Sequence, residues 1–245
     1  MKFFLVKIRF FIYTVSHFFI LPYIYYKKEK MKPDAFHDFV YTFAVRWGKK
    51  ILKWMRAEVT VVGLGNVPEE PVVVVSNHQA GFDIPLLFAY LTNKPSFIAK
   101  IELSRIPFFA AWMRMIGCLF IDRSSPRKGL ESFKKAAEMI KNGQSVIIFP
   151  EGTRKPVIIP FKKGSFKLPQ MAGVPILPVT IVGTEKITDN FKAGKHSKVT
   201  LVIDKPVVIT LLDKEKQNTI HDDIRDLISK NFDKYTPKIQ AEYNA

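Results

Sequence analysis

Val72-Val73-Val74-Val75, preceded by Pro71, is a run of four β-branched residues with no polar face. Such a run forms a strand buried on both sides, as in the inner strands of a sheet covered by helices. The next residues, Ser76-Asn77-His78-Gln79-Ala80-Gly81-Phe82-Asp83, are largely polar. They emerge at the strand's C-terminal end, where α/β sheets place their chemistry. The apolar stretch 84–91 then reads as a helix with Pro85 in its first turn, a position where proline is well tolerated. Asp83 stands at the helix start and can fold back toward His78 across the turn at Gly81.

A carboxylate that holds one imidazole N–H fixes the tautomer and leaves the other nitrogen to accept a proton near neutral pH. That is the requirement for a general base. An aspartate capping a helix beside a surface histidine has the same spacing, so the pair has to be read with the rest of the chain.

The alternation of apolar strand and polar turn recurs. Strands are expected at 59–62, 96–99, 118–121, 145–149 and 174–182, with helices following Asp83, around 107–115 and over 127–141. Residues 199–203 and 207–210 look like a hairpin, and 215–232 like a closing helix. The order argues a mixed α/β fold whose partly parallel sheet is flanked by helices.

Further strand ends carry cations. The strand at 145–149 runs into Phe149-Pro150-Glu151-Gly152-Thr153-Arg154, that at 118–121 into Asp122-Arg123, and that at 96–99 into Lys100. Gly152 permits close approach of backbone to a ligand, and Arg154 offers a planar fork suited to phosphate. Each cation taken singly fits a solvated turn or a surface ion pair; their common placement at strand ends suggests one anion site. Val174-Pro175-Ile176-Leu177-Pro178-Val179 could wall a hydrophobic channel through Val174, Pro175, Ile176 and Pro178, or be a core strand with an irregular edge.

Charge enters because it is uneven. The chain carries a formal +16 over 245 residues, and residues 1–56 hold twelve Lys or Arg against Glu29, Asp34 and Asp38. The chain also contains 21 Phe, so an anionic phospholipid membrane accounts for charge and aromatics together, whereas nucleic acid accounts only for the charge. No nucleic acid partner is expected. Residues 10–26 fall short of the ~20 apolar residues of a spanning helix, so this segment is expected to lie in the interface. Phe3, Phe4, Lys7, Arg9, Phe10, Phe11, Lys27 and Lys28 are its candidate membrane contacts. From Pro33 an amphipathic pattern, Phe36, Phe39, Val40, Phe43, Trp47, Ile51, Trp54 and Met55, places Trp47 among these contacts or packs the stripe on the following domain. The expected organisation is a two-helix, membrane-binding appendage over 1–56 and an α/β domain over 57–245. The single Cys118 excludes an internal disulfide and a multi-cysteine metal site, and fits a reducing compartment.

These motifs resemble those of the 1-acylglycerol-3-phosphate acyltransferase family, the PlsC type of glycerolipid acyltransferase. Its N-H-x-x-x-x-D corresponds to Asn77, His78 and Asp83, and its G-x-x-F-x-x-R to Gly117, Phe120 and Arg123. Its F-P-E-G-T-R spans Phe149 to Arg154, and its V-P-x-x-P-V spans Val174 to Val179. The four occur in order between residues 77 and 179; Lys155 departs from the serine often found after the arginine. The resemblance implies transfer of a fatty acyl group from acyl-CoA or acyl carrier protein to the sn-2 hydroxyl of 1-acylglycerol 3-phosphate (lysophosphatidic acid), giving phosphatidic acid. It implies His78 as base, Asp83 as its partner, and Arg123, Arg154 and Lys100 on the phosphate, with Gly152 and Thr153 beside them. Glu151 would bind the glycerol or fix an arginine. No metal and no cofactor beyond the acyl donor are implied, and the enzyme is expected on the cytoplasmic face of the cell's inner membrane. A related transferase acting on glycerol 3-phosphate or another lysophospholipid is the neighbouring alternative; a non-enzymatic basic membrane scaffold is the distant one. No G-x-S-x-G elbow is present, so a serine nucleophile is not expected.

Overall fold

The valine run is an inner strand of a sheet covered by helices on both faces. The computed structural model describes residues 2–16, 19–122 and 125–244, without the side chains of residues 2–4, 7, 10, 14, 126 and 240–244. In chain order the helices α1 (Lys2–Ser16), α2 (Leu21–Lys30) and α3 (Pro33–Trp54) precede β1 (Ala57–Val62) and β2 (Val73–Ser76). There follow α4 (Asp83–Tyr90), β3 (Ser96–Lys100), α5 (Pro107–Met115), β4 (Leu119–Ile121), α6 (Pro126–Lys141) and β5 (Val146–Ile148). The chain continues through α7 (Lys167–Ala172), β6 (Ile176–Val182), α8 (Ile187–Lys192), β7 (Ser197–Ile203) and α9 (Lys214–Asn244).

Among the described residues the strands form one seven-stranded sheet in the order β1-β7-β6-β2-β5-β3-β4. The pairs from β6 across to β4 are parallel, β6 and β7 run antiparallel, and β1 follows β7 in parallel. The C-terminal ends of β2, β5, β3 and β4 therefore lie along one edge. The expected strand ends are brought together because each connection crosses over through a helix.

Side-chain alternation divides the valine strand between two cores. Val72 and Val74 pack with α2, α3 and α4, whereas Val73 and Val75 pack with α6, α7 and α9. On β6, Leu177, Val179 and Ile181 join the first core and Ile176 the second. Strands with two buried faces need unbroken apolar sequence, which is what the chain supplies.

Pro178 is accommodated although it lies on an inner strand. Its carbonyl accepts the Asp204 N–H at 3.0 Å, beyond the last β6–β7 register pair, Val179↔Ile203. A residue's N–H and C=O share a strand edge, so proline's missing donor falls where the β7 ladder has ended.

Three expectations change. Residues 207–210 do not form a hairpin with β7. Val207 instead exchanges two main-chain hydrogen bonds with Ile176, at 2.9 and 2.7 Å, extending the antiparallel side of β6. The closing helix runs on past 232 to Asn244 with Pro237 inside it, where proline reads as a stop. At the N-terminus the described helices number three, the apolar stretch 10–26 being divided ahead of Leu21, with Pro22 in the first turn of α2. Among the described residues no helix is long and apolar enough to cross a membrane.

The boundary expected at residue 56 is not a gap in packing. Phe36, Val40, Tyr41, Ala44 and Leu52 of α3 share a core cluster with Val74, Leu86 and Leu87. The approach of α3 to α4 is close at Gly48, where a Cβ would overlap the Pro85 carbonyl oxygen and sit 3.3 Å from Ala89 Cβ. Crowding of this kind costs about 1–3 kcal/mol, against the ~1 kcal/mol that alanine gains over glycine in a helix interior. Since the obstructing atom is backbone, crowding wins. Gly48→Ala is expected to lower Tm by about 2–4 °C in thermal unfolding; an unchanged or higher Tm would mean that α3 slides freely on α4.

Candidate active site

Asp83 is the first residue of α4 and is fully buried. A lone buried carboxylate is costly unless hydrogen-bonded, and this one is well supplied. Oδ2 accepts the main-chain N–H groups of Gln79 at 2.7 Å and Ala80 at 3.0 Å, and lies 2.6 Å from His78 Nδ1. Oδ1 accepts the Thr184 hydroxyl. The turn from His78 to Asp83 is thus wrapped around the carboxylate that closes it.

The His78 imidazole stacks on the Phe149 ring, with centroids 4.0 Å apart and planes inclined by 13°. Its Nε2 lies 3.2 Å from Arg154 Nε. A guanidinium can only donate, so Nε2 is the acceptor and the ring proton of the neutral imidazole sits on Nδ1, facing Asp83. This is the tautomer that general-base chemistry requires, with the Nε2 lone pair turned toward the open side of the site.

Neighbouring strands lock the two motif turns together. Glu151 Oε2 accepts the His78 main-chain N–H at 2.9 Å, Oε1 accepts that of Ile159 at 3.4 Å, and Lys155 N–H donates to the His78 carbonyl at 2.9 Å. Glu151 is buried and braces the backbone of both turns through these contacts. Burial is the main cause that pushes its carboxyl up from 4.5 to about 7; the two N–H donors oppose this, and the nearby Asp83 carboxylate adds to it. Lys155 contributes through its N–H, for which the side chain at this position is immaterial.

Two contacts escaped the sequence reading. Asn77 is buried, and its side chain bridges to β6 in both directions. Nδ2 donates to the Ile181 carbonyl at 2.9 Å and Oδ1 accepts the Ile181 N–H at 2.8 Å. Thr184, beyond the end of β6, reaches Asp83. Asn77 was visible as part of a motif but without a role, since its partner is a backbone group 104 residues away. Ser76 is fully buried and its hydroxyl donates to the Asn77 carbonyl, which leaves it no access to a substrate.

A cavity of about 990 Å³ opens at His78. Phe43, Ala44 and Trp47 of α3, Phe88 of α4, Phe97 of β3 and Trp112 of α5 form its apolar wall. Lys100, Gly152, Thr153 and Arg154 stand along its lining, and the side chains of Lys100 and Arg154 are exposed. Arg123 lies outside the described residues. Among the described residues the cavity wall does not include Val174, Pro175, Ile176 or Pro178. Ile176 is fully buried in the second core, and Val174 borders a separate cavity beside α7 and the start of α9. The channel wall comes instead from α3, α4 and α5, because β6 lies on the other side of β2 from β5 and β3.

Of the proposed membrane contacts, Phe3, Phe4, Lys7 and Phe10 lie outside the described side chains. Phe11 is exposed, Lys28 is exposed, Lys27 lies over the Tyr23 ring and Arg9 over Trp54. Trp47 turns to the cavity at His78, its ring meeting Phe88 edge-on at 6.5 Å.

Comparison with known proteins agrees with this geometry. A family model described as Acyltransferase matches residues 58–182. The chain is 35% identical over 199 residues to a chloroplastic 1-acyl-sn-glycerol-3-phosphate acyltransferase of Brassica napus, covering 78% of this chain and 54% of that protein. It therefore spans about half the length of that relative. A probable 1-acyl-sn-glycerol-3-phosphate acyltransferase of Mycoplasma genitalium is 31% identical over 239 residues, covering 91% of this chain and 85% of its own. Among solved structures, the 1-acyl-sn-glycerophosphate acyltransferase PlsC of Thermotoga maritima superposes with a TM-score of 0.72 at 28% identity, over 94% of this chain and 96% of that one. By the match of its sheet-forming region and the similarity of nearly its whole length, this chain belongs to the acyltransferase family.

Proposed function

We propose that the protein transfers a fatty acyl group from a thioester, acyl-CoA or acyl carrier protein, to the sn-2 hydroxyl of 1-acylglycerol 3-phosphate, releasing phosphatidic acid and the free thiol. The observation that carries this reading is the Nε2 atom of His78, an acceptor fixed by Asp83 and placed at the mouth of a large apolar cavity beside exposed cations. The names of the relatives supply the acceptor.

In the proposed reaction His78 Nε2 takes the proton of the acceptor hydroxyl as the oxygen attacks the thioester carbonyl. Asp83 holds the imidazolium that forms. The tetrahedral intermediate collapses with cleavage of the C–S bond, and His78 returns the proton to the departing thiolate. Arg154 leaves Nε2 when the acceptor's phosphate arrives and pairs with it, assisted by Lys100 and, on motif grounds, Arg123. Donor and acceptor are both consumed, one of each per turnover, and the reaction draws on no further cofactor.

The protein is proposed to work from the cytoplasmic face of the cell's inner membrane, with α1 and α2 in the headgroup region. Leu5, Ile8, Phe11, Ile12, Tyr23, Tyr25 and Tyr26 are exposed on these helices, and aromatic and aliphatic side chains mixed with cations favour an anionic interface. Since α3 belongs to the core, the anchor is tested without removing it. Phe11→Asp with Ile12→Asp is expected to reduce co-sedimentation with phosphatidylglycerol vesicles at least several-fold while leaving Tm within 2–3 °C, about 1 kcal/mol. Undiminished sedimentation would refute the assignment.

Release of free CoA from palmitoyl-CoA, with 1-acylglycerol 3-phosphate as acceptor, tests the reaction. The rate should depend on the acceptor and fall by ~10²-fold or more in folded His78→Ala. A preference for glycerol 3-phosphate or another lysophospholipid in the same assay would keep the chemistry and change the substrate.

Glu151 gives a pH prediction. A carboxyl whose ordinary value of 4.5 is raised to about 7 in the fold binds a proton that the unfolded chain releases across that window. Its contribution to stability is complete below pH 4.5 and is lost as pH rises through about 7. The Glu151→Gln variant should therefore show a shallower fall in urea midpoint over this range than the wild type; parallel curves would show that Glu151 ionises normally.

A further inference from the structure

The carboxylate that orients His78 has a partner outside all four sequence motifs and beyond the residues matched by the family model, which end at 182. We propose that Thr184 is a positioning residue for the Asp83–His78 pair, its hydroxyl holding one carboxylate oxygen so that the other stays aimed at the imidazole. This rests on the general-base reading of the site.

The two oxygens of Asp83 are served differently. Oδ2 receives the N–H groups of Gln79 and Ala80 and faces His78 Nδ1. Among the described residues Oδ1 is held by Thr184 alone. Both Thr184 and Asp83 are fully buried, so no solvent replaces this donor if it is removed. The threonine hydroxyl has one proton and two acceptors within reach, Asp83 Oδ1 and, at 3.4 Å, Gln79 Oε1. The shorter contact is to the anion, and the proton belongs there.

The fold places Thr184 by two devices. Asn77 clamps Ile181 through a pair of hydrogen bonds, which ties the end of β6 to the turn that carries His78. Gly183 then turns the chain with φ 95°, against the Lys198 carbonyl of β7, which a Cβ would overlap. A side chain at 183 would push Thr184 away from the carboxylate. The hydroxyl thus arrives at Asp83 from a segment 101 residues away in sequence.

A hydrogen bond donated to a carboxylate lowers its proton affinity and fixes its rotation. Without it the Asp83–His78 pair binds a proton more tightly, and the imidazole loses its fixed partner. Other titratable groups face the pair. Glu151 accepts the His78 main-chain N–H, Arg154 donates to Nε2, and Glu185 follows Thr184, its carboxyl raised by burial with a smaller contribution from Asp83. Thr184→Val leaves all of these in place and keeps the β-branched shape.

The test compares full-length wild type, Thr184→Val and Thr184→Ser by the pH profile of kcat/KM for acyl transfer. It also follows the titration of the ¹³C-labelled His78 imidazole by NMR, assigned with His78→Ala. The valine variant is expected to lose about tenfold in kcat and to move both the acid limb and the imidazole midpoint upward. The serine variant should restore both. A tenfold loss with unmoved limb and midpoint would reduce Thr184 to packing and overturn the inference, as would a valine variant that behaves as wild type. A wild type that transfers no acyl group would sink the general-base reading, and the imidazole titration would still decide Thr184: equal midpoints overturn it, a shifted midpoint sustains it.

Discussion

The site is built around one buried negative charge. Asp83 has no exposed surface, and a carboxylate in such a position persists as an anion only when donors surround it. Those donors come from its own turn, from the histidine it orients and from the end of β6. Its requirement for them dictates the shape of the turn between His78 and Asp83. It also explains why the polar stretch after the valine strand can be largely buried without orphaned groups: Ser76, Asn77, Gln79 and Asp83 each have a partner.

The parallel sheet converts this local device into a site. Strands β2 and β5 pair in register, Val75 opposite Ile148, so the His78 and Glu151 turns leave the sheet side by side although 73 residues separate them. Two hydrogen bonds in opposite senses, His78 N–H to Glu151 and Lys155 N–H to the His78 carbonyl, then fix their relative height. Phe149 closes the arrangement by stacking on the imidazole. It gives the ring an apolar face toward the cavity and leaves polar contacts to its edges.

Much of this was legible in the sequence because its signals are local. An unbroken apolar run followed by a polar turn marks a buried strand and its functional end, and β2, β5, β3 and β4 all announced themselves this way. What could not be read were consequences of strand order. The Asn77 clamp and the Thr184 contact exist because β6 lies next to β2. The wall expected from Val174 to Pro178 lies elsewhere because β6 is on the far side of β2 from the cavity. Pro178 fits β6 because the donor it lacks falls beyond the end of the β7 ladder, and the sequence carries no record of which strand edge would have faced it.

The helix α3 shows the same limit and changes what the N-terminal region is for. An amphipathic stripe specifies that one face is buried, not what buries it. Here the stripe faces the protein: Val40, Tyr41 and Ala44 enter the first core, and Phe43, Ala44 and Trp47 line the cavity at His78. Gly48 brings the helix against α4, the helix that begins with Asp83. The helix that follows the exposed aromatics of α1 and α2 is therefore itself a wall of the cavity. A displacement of α3 relative to the sheet would alter the cavity and press on the helix that begins with Asp83. The first core therefore continues across residue 56, with α3 packed on the strand and helix that flank His78.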